Sequence, residues 1–515
     1  MSFAKKLASL LILTVLVGGL ARAQQAGPQQ PGPQQPGAPD QPQQPAAAEQ
    51  PASPANSRTQ ATVPVARSLW GVDAPATITD PDAYIPDSHP LTGAAALTAG
   101  EPESHVNLFD MSLNLAFSGD TDLVNSANQF VLGTQSVVGG DLDFAHTWHR
   151  NSFAATYNGG ETFFDPSSTY YGSGMFHSLS LGEQIAGGRW VLRLTNDFLY
   201  STNADVGGNG MAGPGLLGDF GGPFAGLNPD FGGAGETILT GPGRRVNNSS
   251  IGEVEYDVSP HSAITVTGLN DLLHFFDAGY IDNRNYLGRV GYDLGVSPKS
   301  TVAFYGQVGR TTYNLISTGG AGPGGAGTPL IPFGITEYGG GIGFSHSLTG
   351  RVAFQIEGGP DIEVVSSNSA ANSSDRWIWD LNTSVSYQFQ RSSLSISYFH
   401  GPTQGAGVYA GSTSHVVTGA YTRRFTRFFS ANLNGGYTRN NALVSAVGFA
   451  NEISNWYVGG NLNRQFGRSL DFTIYYGAQK QITGGVCPVA GCALMPIRQT
   501  FGLGLAWHPK AIAVD

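Results

Sequence analysis

Charge is scarce in this chain. Asp, Glu, Lys and Arg make up only 12% of its 515 residues, about half of what a soluble protein of this size carries. Long apolar runs are scarcer still. One stretch, Leu7 to Leu20, lies near the N-terminus, and it is short for a helix that crosses a bilayer. A helical membrane bundle is thereby excluded. Cysteine is limited to Cys487 and Cys492. With no further Cys or His beside them, they make a poor metal or redox centre. In an exported chain, C-x4-C spacing reads as one small disulfide loop. Hydrolase signatures are also missing: there is no G-x-S-x-G and no H-E-x-x-H. Ser is plentiful, and His146, His177, His274, His346, His400 and His415 lie on or near expected strands. No spacing singles out the nucleophile and positioned base that a hydrolase needs.

What is present begins with an export signal. Lys5 and Lys6 precede the apolar run, which ends in Ala21-Arg22-Ala23. This is the pattern of a signal peptide over 1–23, with cleavage between Ala23 and Gln24. No Cys follows the apolar run, so a lipid anchor is not indicated. Removal of Lys5, Lys6 and Arg22 takes the formal charge from −11 to −14. An acidic exported chain is a poor nucleic-acid binder, and no nucleic-acid partner is expected. Residues 24–57 are Gln, Pro and Ala with almost no apolar bulk. They cannot bury a core and are expected to be disordered, partly as polyproline II. Such a segment is a spacer, or it reaches peptidoglycan or periplasmic partners together with 58–105, which reads as a periplasmic linker or plug-like segment around Trp70.

From about residue 106 the chain alternates. In Trp377-Ile-Trp-Asp-Leu-Asn-Thr-Ser-Val-Ser-Tyr-Gln-Phe389, Trp377, Trp379, Leu381, Val385, Tyr387 and Phe389 share one face. Asp380, Asn382, Ser384, Ser386 and Gln388 share the other. Period two is that of a strand. One face suits lipid and the other suits water. About 18 such segments can be placed between residues 107 and 507, with 16–18 strands compatible with the pattern. The gaps after even-numbered strands are short and those after odd-numbered strands are long. The longest is about 201–246. Aromatics recur at both ends of the segments: Trp148, Trp190, Phe389, Phe429, Phe466 and Trp507 at the short-turn end. At the long-loop end stand Phe117, Tyr157, Tyr200, Trp377, Tyr398, Tyr437, Trp456 and Tyr476. The outward positions between them read as Leu, Val, Ile, Ala and Gly. The fold class is all-β: an antiparallel up-and-down transmembrane β-barrel with both termini periplasmic.

These residues resemble the bacterial outer-membrane β-barrel superfamily, porin-like, over 106–508. The last segment, Gln499-Thr-Phe-Gly-Leu-Gly-Leu-Ala-Trp507, looks like the terminal strand by which such barrels are recognised for assembly. Phe501, Leu503, Leu505 and Trp507 lie on one face. It departs from that pattern in that His508 to Asp515 follow the terminal aromatic; 509–515 is taken as a C-terminal tail. The resemblance implies an outer-membrane location in a Gram-negative-type envelope. It also implies lipid and the barrel-assembly machinery as partners. No specific porin family is matched, so no binding residues carry over.

The loop at 201–246 contains two distractions. Gly208-Asn-Gly-Met-Ala-Gly213 satisfies G-x-G-x-x-G, but Pro214-Gly215 and further glycines follow, where a dinucleotide site needs a helix. Asp219-Phe-Gly and Asp230-Phe-Gly recur without any other kinase element, and the two acids give only weak support for Ca²⁺. No metal site and no cofactor are expected. The loop's length makes it the candidate constriction or lid.

The face opposite the apolar one carries the acids Asp110, Asp141, Asp143, Asp197, Glu253, Glu255, Asp257, Asp293, Glu357, Asp361, Glu363, Asp380 and Asp471. Its bases are Arg193, Arg289, Arg376, Arg424 and Arg498. Rings of carboxylates favour cations. The rival reading is a satisfied salt-bridge network lining a closed barrel, and Arg376 with Asp380, four residues apart on one face, could pair. The leading expectation is a non-enzymatic channel for small polar or cationic solutes. The alternatives are an export barrel, for example for a polysaccharide, and a structural or adhesive barrel with a blocked lumen.

Overall fold

The computed structural model describes residues 108–513, apart from 125–129, 149, 165–173, 203–243, 278–279, 316–332, 350, 368–373, 406–408, 444–450, 468, 484–496 and 511. The expectations for 1–105, the lid at 201–246 and the Cys487–Cys492 loop fall wholly or mainly outside these residues. No helix occurs among the described residues.

Eighteen long strands form one antiparallel sheet. They are β1 (Leu108–Val124), β2 (Phe130–Thr147), β3 (Asn151–Phe164), β4 (Gly174–Gly187), β5 (Trp190–Ser201) and β6 (Arg245–Ser259). Next come β7 (Ser262–Phe275), β8 (Ile281–Ser297), β9 (Ser300–Leu315), β10 (Phe333–Thr349), β11 (Val352–Ser367) and β12 (Ser374–Gln388). The last are β13 (Ser392–Thr403), β14 (Ser412–Thr426), β15 (Phe429–Ala442), β16 (Glu452–Phe466), β17 (Leu470–Thr483) and β18 (Arg498–Trp507). Each pairs with its neighbours in sequence. The sheet closes where β1 meets β18, from Leu113↔Trp507 to Asp120↔Thr500. A two-residue strand, β19 (Ile512–Ala513), continues that seam against Leu108 and Phe109. Closure leaves no edge of unpaired backbone groups, as hydrocarbon requires.

Connections at one end have two or three residues, and those at the other have 5 to 43. Gly188 and Gly467 fit the tight end because each has positive φ, 66° and 71°, which glycine adopts without a Cβ clash. Both barrel ends of the chain lie at this short-turn end: Leu108 starts there opposite Ala145, and Trp507 ends there opposite Leu470.

Alternation sets the two faces. On β1, Met111, Leu113, Leu115 and Phe117 are exposed, while Asn114, Ala116 and Ser118 are buried. The same parity runs round the sheet, so Leu132, Val138 and Leu142 face out and Gln135 and Val137 face in. Trp377, 74% exposed, belongs to the outer aromatic row. An exposed apolar exterior on a closed, edge-free barrel is stable in a bilayer and not in water. The chain is an outer-membrane-type β-barrel.

His146, His177, His274, His346, His400 and His415 lie on this exterior rather than in the interior. His177 bonds Tyr157 at 2.8 Å, and His146 packs on Trp148 at 4.3 Å between ring centroids. His400, though only 5% exposed, lies on the outer row, sandwiched between Trp379 at 3.8 Å and His415 at 4.1 Å. Ser300 and His346 form a cross-strand pair at 2.8 Å, also on the outer row near the short turns. One departure from the expected apolar row lies on β5 and β6. Asn196, Asn248 and Ser250 share the outward parity of Leu194 and Val254. They satisfy one another: the Asn196 amide donates to Asn248 Oδ1 at 3.1 Å and to Ser250 Oγ at 2.7 Å. Mutual pairing removes most of the cost of polar groups facing lipid.

Candidate functional site

Side chains of the inner face meet across the concave wall. Arg289 on β8 pairs with Glu357 on β11, and Tyr305 on β9 donates to Asp380 Oδ2 on β12 at 3.1 Å. Neither pair is on adjacent strands, so each must reach over the lumen side. Glycine makes the room. Gly339 and Gly341 occupy inward positions of β10, between these strands. A Cβ on Gly341 would lie 2.5 Å from the Tyr305 hydroxyl, and one on Gly339 would overlap Asp361. The Tyr305 ring therefore lies flat over bare backbone, with the Arg289 guanidinium stacked 3.7 Å from its centroid.

Beside them the wall is acidic. Glu337 stands directly opposite Glu363, and Gly339 opposite Asp361. Gln307 donates to Glu337 Oε1 at 2.7 Å, and the Gly359 amide donates to Asp380 Oδ1 at 2.7 Å. Glu363 is 1% exposed, and its Oε2 has no hydrogen-bond partner. Like charges directly opposite destabilise a strand pair, and an unpaired buried carboxylate oxygen is costly. The cavity here measures about 80 Å³ and is lined by these acids with Arg289, Asn285, Thr311 and Phe399. That is room for a few water-sized groups.

Above the cavity, the long-loop end is partly covered. Ala410, before β14, and Leu443, after β15, pack on Ile281, Tyr313 and Ile335 of β8, β9 and β10. Those strands are several positions round the barrel, so Ala410 and Leu443 lie across the mouth from their own strands. Leu443 N–H donates to Gly411 O at 3.0 Å and ties them together. Arg376 of β12 donates to Leu443 O at 3.3 Å. Gly411 has φ 79°, and a Cβ there would meet Ile335 and Leu443 within 3 Å. A hydroxyl ladder anchors the base. Thr403 bonds Ser412 at 2.6 Å and Ser414 at 2.7 Å, and Ser414 donates to Asn440 at 2.6 Å.

All thirteen expected acids have inward parity. They fall into separate groups. Asp361, Glu363, Asp380 and Glu357 share the cavity with Arg289. Glu253 and Glu255 are both held by Arg193, the latter at 2.7 Å. Asp141 accepts from Ser112 at 2.6 Å and from Asn114 and Asn158. Asp110 and Asp143 face each other across β1 and β2. Asp197 accepts from Ser180 at 2.5 Å. Asp293 is buried and Asp257 exposed near the short turns. Asp471 meets His508 Nε2 at 3.1 Å. Arg376, proposed to pair with Asp380, instead reaches the mouth, and Asp380 is held by Tyr305 and Gly359. Arg424 lies on the inward row; the side chain of Arg498 is outside the described residues.

Three inward charges were not expected from the sequence: Glu337, Asp271 and Arg245, the last two buried. Parity would have found Glu337, which lies two residues from Ile335 and Gly339, but three consecutive glycines, Gly339 to Gly341, blur the alternation there.

His508 lies past the last long strand. Its hydrogen bond to Asp471 raises its pKa above the usual imidazole value, against the opposing effect of burial and with help from the charges of Asp471, Asp110 and Asp141. The short-turn mouth thus holds a proton-sensitive cation among carboxylates.

No family model matches the chain, and no curated protein matches it. Among solved structures, OccK2 (OpdF) of Pseudomonas aeruginosa in complex with glucuronate is similar at TM-score 0.39 and 8% identity, over 78% of this chain and 97% of that one. A BenF-like porin from Pseudomonas fluorescens Pf-5 gives 0.38 and 6%, over 78% and 98%. The FrpB iron transporter of Neisseria meningitidis gives 0.37 and 10%, over 76% of this chain; the chain spans 64% of FrpB's length. At such scores the barrel rests on its own strand ladder, and the lumen on its own residues.

Proposed function

We propose that this barrel is a diffusion channel for small polar and cationic solutes, with the acidic cavity on the β8–β13 wall as its selective stretch. The observation that carries the reading is Glu363, buried with an oxygen free of hydrogen bonds and directly opposite Glu337 on a wall shared with Asp361 and Asp380. Arg289 pairs with Glu357 and Arg376 stands opposite Glu363, so two arginines face five carboxylates on this wall. A cation there exchanges part of its hydration for carboxylate, Gln307 and Tyr305 oxygens, while an anion is repelled. No bond is made or broken in this mechanism.

The test is the reversal potential of the purified barrel in planar bilayers under a KCl gradient. The wild type should prefer K⁺, less so at 1 M salt, where the screening length falls to about 3 Å. Replacing Glu337 and Glu363 by Gln should cut the preference. At ~7 Å in water each charge attracts a cation and repels an anion by about 0.6 kcal/mol, so the double variant should lose roughly sevenfold in cation accumulation and roughly fiftyfold in the cation-to-anion ratio at low salt. Anion preference in the wild type, or an unchanged ratio in the variant, would falsify the reading. The apolar contacts of Ala410 and Leu443 at the mouth favour a second reading, a lumen that is closed at rest; a correctly inserted barrel carrying no current at any voltage would support it.

A further inference from the structure

The short-turn rim has a charge opposite to the rest of the molecule. The whole chain has 26 Lys and Arg against 37 Asp and Glu. Yet the eight connections of two or three residues contain no Asp or Glu, and each contains Arg, Lys or His. Arg150, Arg189, Lys299, Arg351, Arg391 and Arg427 are all exposed. None of these six has an ion-pair partner among the described residues. Of the carboxylates on the outward row, only Glu183 lies in the short-turn half among the described residues.

A second observation fixes where these cations stand. Three arginines at this end lie over outward aromatic rings: Arg423 over Phe425 at 5.5 Å, Arg427 over Phe428 at 4.4 Å, and Arg464 over Phe466 at 4.8 Å. Phe425, Phe428 and Phe466 are exposed members of the aromatic row that includes Trp190 and Trp507. Such rows sit at headgroup depth. The guanidinium groups above the rings are thus outside the hydrocarbon and at the level of phosphate. Guanidinium binds phosphate through paired, charge-assisted hydrogen bonds.

We propose that the short-turn rim is a ring of sites for anionic phospholipid headgroups in the leaflet on that side. The aromatic contacts hold Arg423, Arg427 and Arg464 in the interfacial plane, and the lipid phosphate supplies the missing counter-charge. A protein partner is less well matched, because the cations are spread over all eight short connections round the sheet. They are not gathered in one patch.

The test is electron spin resonance of the full-length barrel in phosphatidylcholine vesicles containing spin-labelled phosphatidylglycerol or phosphatidylcholine. The motionally restricted fraction gives the relative association constant of each lipid for the barrel surface. The wild type should prefer phosphatidylglycerol by roughly two- to fivefold at low salt, falling toward equality at 1 M NaCl. A variant carrying Arg189→Gln, Arg391→Gln, Arg427→Gln and Arg464→Gln should lose the preference, and the corresponding Lys variant should keep it. A control with Arg310→Gln and Arg439→Gln at the long-loop end should behave as wild type. Equal association of both lipids with the wild type would overturn the proposal. So would a preference that survives in the Gln variant or disappears in the long-loop control.

Discussion

Replacing Leu443 by Ala should loosen the mouth. Leu443 is buried against Ile281, Tyr313, Ile335 and Ala410, contacts that tie two connections to the far wall. Truncating a buried Leu costs about 2–5 kcal/mol in a core. At a mouth open to water on one side, the low end, about 2 kcal/mol, is the relevant figure. That changes the ratio of open to closed mouths roughly 30-fold. A mouth closed about 97% of the time would then be open near half of it. Single-channel recording reads this directly as time spent at the larger conductance level. Arg376→Gln removes the bond to Leu443 O and should act in the same direction but less, about 0.5–1.5 kcal/mol. Because both groups hold one segment, their effects should not add. Identical conductance levels and dwell times in the wild type and both variants, with all three correctly folded, would refute the packed mouth as a constriction.

Two further outcomes follow from the lumen. Because His508 has a raised pKa in the folded barrel, its attraction to Asp471 is fully present below the unfolded imidazole value of about 6.5 and is lost as pH rises through the elevated folded value. Cation preference should therefore increase over that upward step as a positive charge leaves the short-turn mouth; His508→Gln should abolish the step, and a wild-type preference flat from pH 6 to 9 would contradict it. Gly341→Ala should destabilise the barrel by about 1–3 kcal/mol through overpacking against Tyr305 and the Gly358 carbonyl. Gly268→Ala, with open space at its Cβ position, should leave the urea midpoint nearly unchanged, and equal midpoints for the two variants would count against the tight stack.

The strand number and the two faces were legible in the sequence because both depend on local rules. Period two assigns faces residue by residue, and turn length assigns ends. Lumen organisation was harder to read. Arg289 and Glu357 are 68 residues apart in sequence, and nothing local says that curvature brings β8 and β11 within reach. Asp271 was hidden because Leu269 and Leu273 also face inward and are buried, while Asn270 faces out, so polarity contradicts parity on β7. The contacts across the mouth escaped for another reason. Length pointed to the stretch at 201–246, which lies mainly outside the described residues; among the described residues the apolar contacts at the mouth come from the connections after β13 and β15. Nothing local in the sequence says that Ala410 will find Ile335 to pack on.

The seam between first and last strands bears on how the molecule is made. The terminal aromatic strand pairs with β17 on one side and β1 on the other, and Ile512 and Ala513 then extend the ladder to Phe109 and Leu108. Until β1 and β18 meet, each presents an unpaired edge. Once they meet, the residues past Trp507 occupy the remaining stretch of β1. The short tail thus works like the tongue of a zip: it covers the last open stretch of the seam, and reopening the cylinder requires the tail to peel away first.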